Sequence, residues 1–152
     1  MKKFCLLFIL LIGAGLSVNA ESTVNVFVRS LPNPNVTLYI EGEEVCDMNG
    51  TVEKIYSANV VKVASCYRAI KVKREGEVTF KVVYEYTVPT DGSKKYFEAE
   101  NTLTLTDGET YNLNLSYKGL KHIELAVPKE KDVQKWAKEW EELPTVTYPK
   151  DK

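Results

Sequence analysis

EGEVTFKVVYEYTV, residues 75–88, decides the fold. Val78, Phe80, Val82, Tyr84, Tyr86 and Val88 occupy alternate positions, while Thr79, Lys81, Glu85 and Thr87 dominate the positions between them. Successive side chains of a strand point to opposite faces, so this stretch reads as one long strand with an apolar face and a polar face.

The same period runs outward in both directions. Upstream, Val24, Val26 and Val28 alternate with Asn25 and Phe27, and Val36, Leu38 and Ile40 with Thr37 and Tyr39. Glu41-Gly42-Glu43 predicts a turn, with Glu44-Val45-Cys46 starting the return strand. Val61 and Val63 share one parity and Ile70 and Val72 the other, so a bulge or break is expected around Ser65-Cys66-Tyr67. Arg74 to Glu77 reads as a hairpin turn. Downstream, Pro89 to Ser93 is a loop, and Phe97, Ala99, Leu103 and Leu105 mark the next strand. Asp107-Gly108 gives a strong hairpin signal. Tyr111, Leu113, Leu115 and Tyr117 follow, then a turn at Lys118-Gly119 and a last strand through Ile123, Leu125 and Val127. Short strands at this spacing predict an all-β fold, an antiparallel β-sandwich of about 7–9 strands.

The C-terminal region changes period. Val133, Trp136, Trp140 and Leu143 lie on one helical stripe between Pro128 and Pro144. This predicts one C-terminal α-helix over 129–143, its stripe packed on the sandwich, followed by a frayed polar tail at 144–152.

The first twenty residues have the layout of a secretory signal. Lys2 and Lys3 precede the apolar run Phe4 to Ile12, and Val18-Asn19-Ala20 offers a cleavage site. The expected organisation is therefore a signal peptide at 1–20, a sandwich at 21–127, the helix segment at 128–143 and the tail. The expected location is extracytoplasmic, periplasmic or secreted, with no transmembrane segment once the signal is removed. Cys5 lies inside the apolar run and leaves with it. Cys46 and Cys66 remain, and an even pair in an oxidising compartment predicts one disulfide.

The chain carries 20 basic and 21 acidic side chains. Loss of Lys2 and Lys3 shifts that balance further toward acid, which argues against a nucleic-acid partner. His122 is the sole histidine; it reads as a surface residue, and with Cys46 and Cys66 expected to pair, no metal site, cofactor or catalytic residue is predicted. Glu41, Glu43, Glu44 and Asp47 cluster around one hairpin, and the rival reading is a small hydrolase using such surface acids. Hydrated turn residues are the simpler account. Tyr39, Tyr67 and Tyr96 are expected to face outward by alternation, and Tyr39 and Tyr96 with Trp136 and Trp140 are the candidate contacts for a protein or glycan partner.

Three segments carry a family resemblance. TLYIEGEEV at 37–45, EGEVTFKVVY at 75–84 and TLTLTDGETYNLNLSY at 102–117 resemble hairpins and strands of PEGA-like bacterial envelope domains. The pattern departs from that family at Glu75 and Glu77, which stand for its usual proline and histidine, and in lacking a lipid-attached cysteine. The resemblance implies a small extracytoplasmic β-sandwich accessory to envelope processes, with no catalytic residues. Together these readings predict an exported, non-catalytic envelope or secreted protein of binding or structural type. The alternative is a secreted protein-binding effector or inhibitor.

Overall fold

A computed structural model describes residues 20–32, 34–48, 52–56, 61–117, 122–138 and 145–150. The expected signal peptide, apart from Ala20, lies outside them. Among the described residues, ten strands form two packed sheets, accompanied by one helix. The strands are β1 (Ser22–Pro32), β2 (Pro34–Ile40), β3 (Glu43–Asp47), β4 (Val52–Tyr56), β5 (Val61–Val72), β6 (Gly76–Thr87), β7 (Lys94–Leu105), β8 (Thr110–Tyr117), β9 (Ile123–Ala126) and β10 (Thr145–Tyr148), with α1 (Glu130–Ala137) between the last two.

The larger sheet has the order β10-β5-β1-β8-β9, with β4 also paired to β5. The smaller has the order β3-β2-β6-β7. Val24, Val26, Val28, Ile70, Val72, Leu113 and Leu115 of the first sheet meet Val36, Leu38, Ile40, Val78, Phe80, Val82 and Tyr84 of the second. All fourteen are at most 1% exposed, and each such side chain contributes about 1.5–3 kcal/mol on burial. The alternation is therefore realised as predicted from Val78 to Tyr84, with Thr79, Lys81, Val83 and Glu85 on the outer face, while β6 ends at Thr87, one residue short of Val88.

The expectation of a purely antiparallel sandwich is corrected. β1 runs parallel to β8, and β10 runs parallel to β5. The cause lies at two turns read from sequence as hairpins. The segment after β5 carries the chain into the other sheet, to β6, and Asp107-Gly108 carries it back from β7 to β8. Both are corners between sheets. They are stitched together: Asp107 N–H donates to Glu75 Oε1 at 3.2 Å, Gly108 N–H donates to Glu21 O at 2.9 Å, and Glu21 N–H donates to Asp107 Oδ1 at 2.8 Å. Gly108 takes a positive φ of 78° there, a conformation that costs glycine little.

The turn at Glu41-Gly42 is a hairpin, with φ of 51° and 78° at the two positions. The irregularity expected near Ser65 is present, but the extra residue sits on the facing strand: pairing steps from Val28–Cys66 to Leu31–Ala64. β4 was not foreseen, and the tail expected to fray supplies β10. Tyr148 is 8% exposed, and its carbonyl accepts Lys73 N–H at 2.8 Å.

The helix is shorter than the 129–143 expected from its stripe. It ends at Ala137 with Lys138 as C-cap, and Trp140 and Leu143 lie outside the described residues. The described half of the expected stripe is docked. Val133 and Trp136 pack on Phe27, Tyr67 and Ala69, which project from the outer face of the larger sheet.

Candidate functional site

The two outer faces have different fates. On the larger sheet, Phe27 and Tyr67 put aromatic rings where solvent would otherwise be, and α1 covers them. Phe27 and Tyr67 lie 4.5 Å apart, Phe27 and Trp136 5.1 Å, and Arg29 stands 5.2 Å over the Trp136 ring. Trp136 is thus engaged within the molecule. Tyr67, read from sequence as outward, does point to that face but is 4% exposed, and burial pushes its phenol up to about 12.

The outer face of the smaller sheet is not covered by α1. Its cross-strand registers run Tyr39–Lys81–Glu100, Thr37–Val83–Glu98 and Asn35–Glu85–Tyr96. The structure therefore brings Tyr39 and Tyr96, distant in sequence, to one face of one sheet. Strand spacing and rise separate them by roughly 16 Å along a diagonal. Tyr96 is 61% exposed. The Lys81 ammonium lies 5.5 Å from the Tyr39 ring centroid and 3.8 Å from Glu98 Oε1. Lys81, Glu98, Ala99 and Glu100 line an open hollow beside it. At the far end Lys94 Nζ sits 2.9 Å from Glu85 Oε1. Hydrogen bonds to Glu85 from Lys94, Tyr96 and Asn35 hold its carboxyl below the usual carboxylate range. On the β3 side, Glu44 pairs with Tyr39 and Asp47 with Thr37. The face sets two tyrosines among alternating charges.

Glu41, one of the acids clustered at the β2–β3 hairpin, has a structural partner, as do Glu75 and Asp107. The Glu41 carboxylate accepts Thr79 N–H at 2.8 Å and locks its hairpin onto β6. Glu75 and Asp107 staple the corners. Glu43 and Glu44 are exposed, and His122 is exposed at the start of β9. Among the described residues no group of three or more histidine, cysteine or acidic side chains is arranged to hold a metal, and no helix is long and apolar enough to cross a membrane.

The expected Cys46–Cys66 disulfide is corrected: both residues are free thiols. Cys66 Sγ instead accepts a hydrogen bond from Arg68 Nη1 at 3.0 Å and lies 3.9 Å from Tyr67 O, to which its thiol donates. Burial pushes the Cys46 thiol up to about 11 and raises that of Cys66 as well.

Sequence reasoning missed Lys81, Glu98 and Glu100 as members of the face. Alternation placed them outward, but only the β2–β6–β7 register sets them beside Tyr39. It also passed over Phe27, although an aromatic ring on the polar phase of a strand signals a second layer. Compared with models of known protein families and with curated proteins, the chain matches none.

Proposed function

We propose that this is an exported, non-catalytic binding domain that engages a protein partner through the outer face of its four-stranded sheet. The observation that carries the reading is the union of Tyr39, Lys81 and Tyr96 on one sheet face that α1 leaves open. Tyrosine is enriched where proteins meet, because it offers a broad apolar ring and a polar tip at low conformational cost. The alternating charges around the rings supply orientation rather than bulk affinity. The extracytoplasmic setting rests on the leader-like first twenty residues, and the part played by Glu41, Glu75 and Asp107 in turns supports binding over hydrolysis.

The test is retention on the envelope fraction of an exporting host. Tyr39→Ala combined with Tyr96→Ala should weaken retention at least tenfold while the melting temperature holds. Val127→Ala, at a residue 64% exposed elsewhere on the molecule, should leave retention unchanged. Equal retention of all three proteins would refute the assignment of this face.

A further inference from the structure

We propose that β7 is the seam of a homodimer: its outer edge pairs antiparallel with β7 of a second copy, centred on Phe97, and joins the two four-stranded sheets into one. β7 is the last strand of its sheet, with β6 on one side. The phase of the ladder tells which backbone groups face the other side. Val88 N–H donates to Ser93 O at 2.8 Å, so pairs that exchange both bonds recur every second residue from there: Tyr86–Lys95, Tyr84–Phe97, Val82–Ala99 and Phe80–Asn101. The far edge of β6 agrees, because Thr79 O accepts Glu41 N–H at 3.0 Å and so faces β2. The N–H and C=O groups of Lys94, Tyr96, Glu98 and Glu100 therefore point away from β6, and among the described residues no strand pairs with them.

An open edge offers hydrogen bonds to any strand, and its charges decide which strand fits. Lys94 and Lys95 begin β7, and Glu98 and Glu100 follow. An antiparallel copy reverses that order, so each strand offers acid where the other offers base. An in-register parallel copy sets like against like. Centring the antiparallel pair on Phe97 keeps outer-face residues opposite one another and places Lys94 opposite Glu100 on both sides of the two-fold axis. Centring on Glu98, Ala99 or Glu100 brings carboxylates face to face. Centring on Tyr96 opposes Lys94 and Glu98 but carries Glu100 past the other β7. Further along, β9 approaches from the opposite sheet, where Asn101 Nδ2 donates to Leu125 O at 3.0 Å. Glu100 is exposed, and the Lys94 side chain is 55% exposed even while it bonds Glu85, so both can reach across the seam.

The inner side of the seam suits the same register. Phe97 and Ala99 are half-buried at the rim of the core, and Phe97 stacks on Tyr84 with ring centroids 5.8 Å apart. Pairing centred on Phe97 sets its ring against that of the second copy and covers apolar surface that a lone β7 leaves half in water. Tyr96 stays on the outer face, opposite Glu98 of the second copy, so the tyrosine-bearing face becomes continuous across the dimer. The proposal stands on the edge of the sheet and does not require the partner assigned to its face.

Sedimentation equilibrium of the chain purified after export, from micromolar to millimolar, should show a monomer–dimer equilibrium. Isotopically light and heavy protein, mixed in equal parts and treated with a zero-length carbodiimide, should give mixed-isotope cross-links between Lys94 and Glu100. Lys94→Glu and Glu100→Lys each set like charges opposite one another, and each should weaken dimerisation by about tenfold or more. An equimolar mixture of the two variants restores both opposite-charge pairs and should dimerise as the original chain does. The original chain alone decides the first two results, so no variant has to fold for them to count. A monomer at millimolar concentration, mixed-isotope cross-links only at other residues, or folded variants that dimerise undiminished would each overturn the proposal.

Discussion

The Trp136 ring lies 5.1 Å from the Phe27 ring, tilted 53° to it. This contact joins the helix to the strand at the middle of the larger sheet. A helix of eight residues has little stability of its own in water, so its order depends on this surface. Trp136→Ala should therefore destabilise the fold by about 2 kcal/mol, less than a fully buried aromatic because Trp136 is only half-buried. Urea denaturation measures it. Phe27→Ala should cost more, about 3–4 kcal/mol, since it removes the floor under both Tyr67 and Trp136.

A second prediction concerns the last strand. Tyr148→Ala should cost about 2–3 kcal/mol by the same measurement, as for other aromatic side chains removed from a core. A frayed tail would show no effect. Hydrogen exchange at the Lys73 amide, which donates to the Tyr148 carbonyl, should accelerate in the variant.

How far the fold could be read from sequence is clear from these two elements. The Val133 and Trp136 stripe was legible because helical period and amphipathicity are local properties, and it docks as expected. β10 was not, because TVTY, residues 145–148, is a short polar-apolar alternation that becomes a strand only when β5 offers an edge. The same limit explains the sheet pairing. Alternation tells a residue which face it takes, and Val78 to Tyr84 took the predicted one. It does not say which strand lies alongside, so Asp107-Gly108 could be read as a hairpin when it is a corner. At the candidate site, Tyr39 and Tyr96 were legible singly as outward residues. Their common face depends on β6 lying between β2 and β7, a long-range pairing with no local signature.

Alkaline pH should unfold the protein through its tyrosines. Burial raises the phenols of Tyr67, Tyr84, Tyr117 and Tyr148 above their ordinary value of 10.0, that of Tyr67 to about 12. The folded state holds these groups neutral, whereas the unfolded chain ionises them near pH 10. The stability they provide is fully present below pH 10 and is lost as pH rises through the window from 10 toward 12. Phenolate absorbance and circular dichroism should therefore change together, in one cooperative step.

The most direct measurement of the central claim is a photo-crosslinking map in the exporting host. Benzoylphenylalanine is placed singly at Tyr39, Glu98 and Thr102 on the outer face of the four-stranded sheet, and at Val127 and Gln134 away from it. The account predicts that the three face positions capture the same protein, that Tyr39→Ala with Tyr96→Ala abolishes capture from Glu98, and that Val127 and Gln134 capture none of it. Capture from Gln134 or Val127 with none from the face would contradict the account and move the binding surface to the helix side of the molecule.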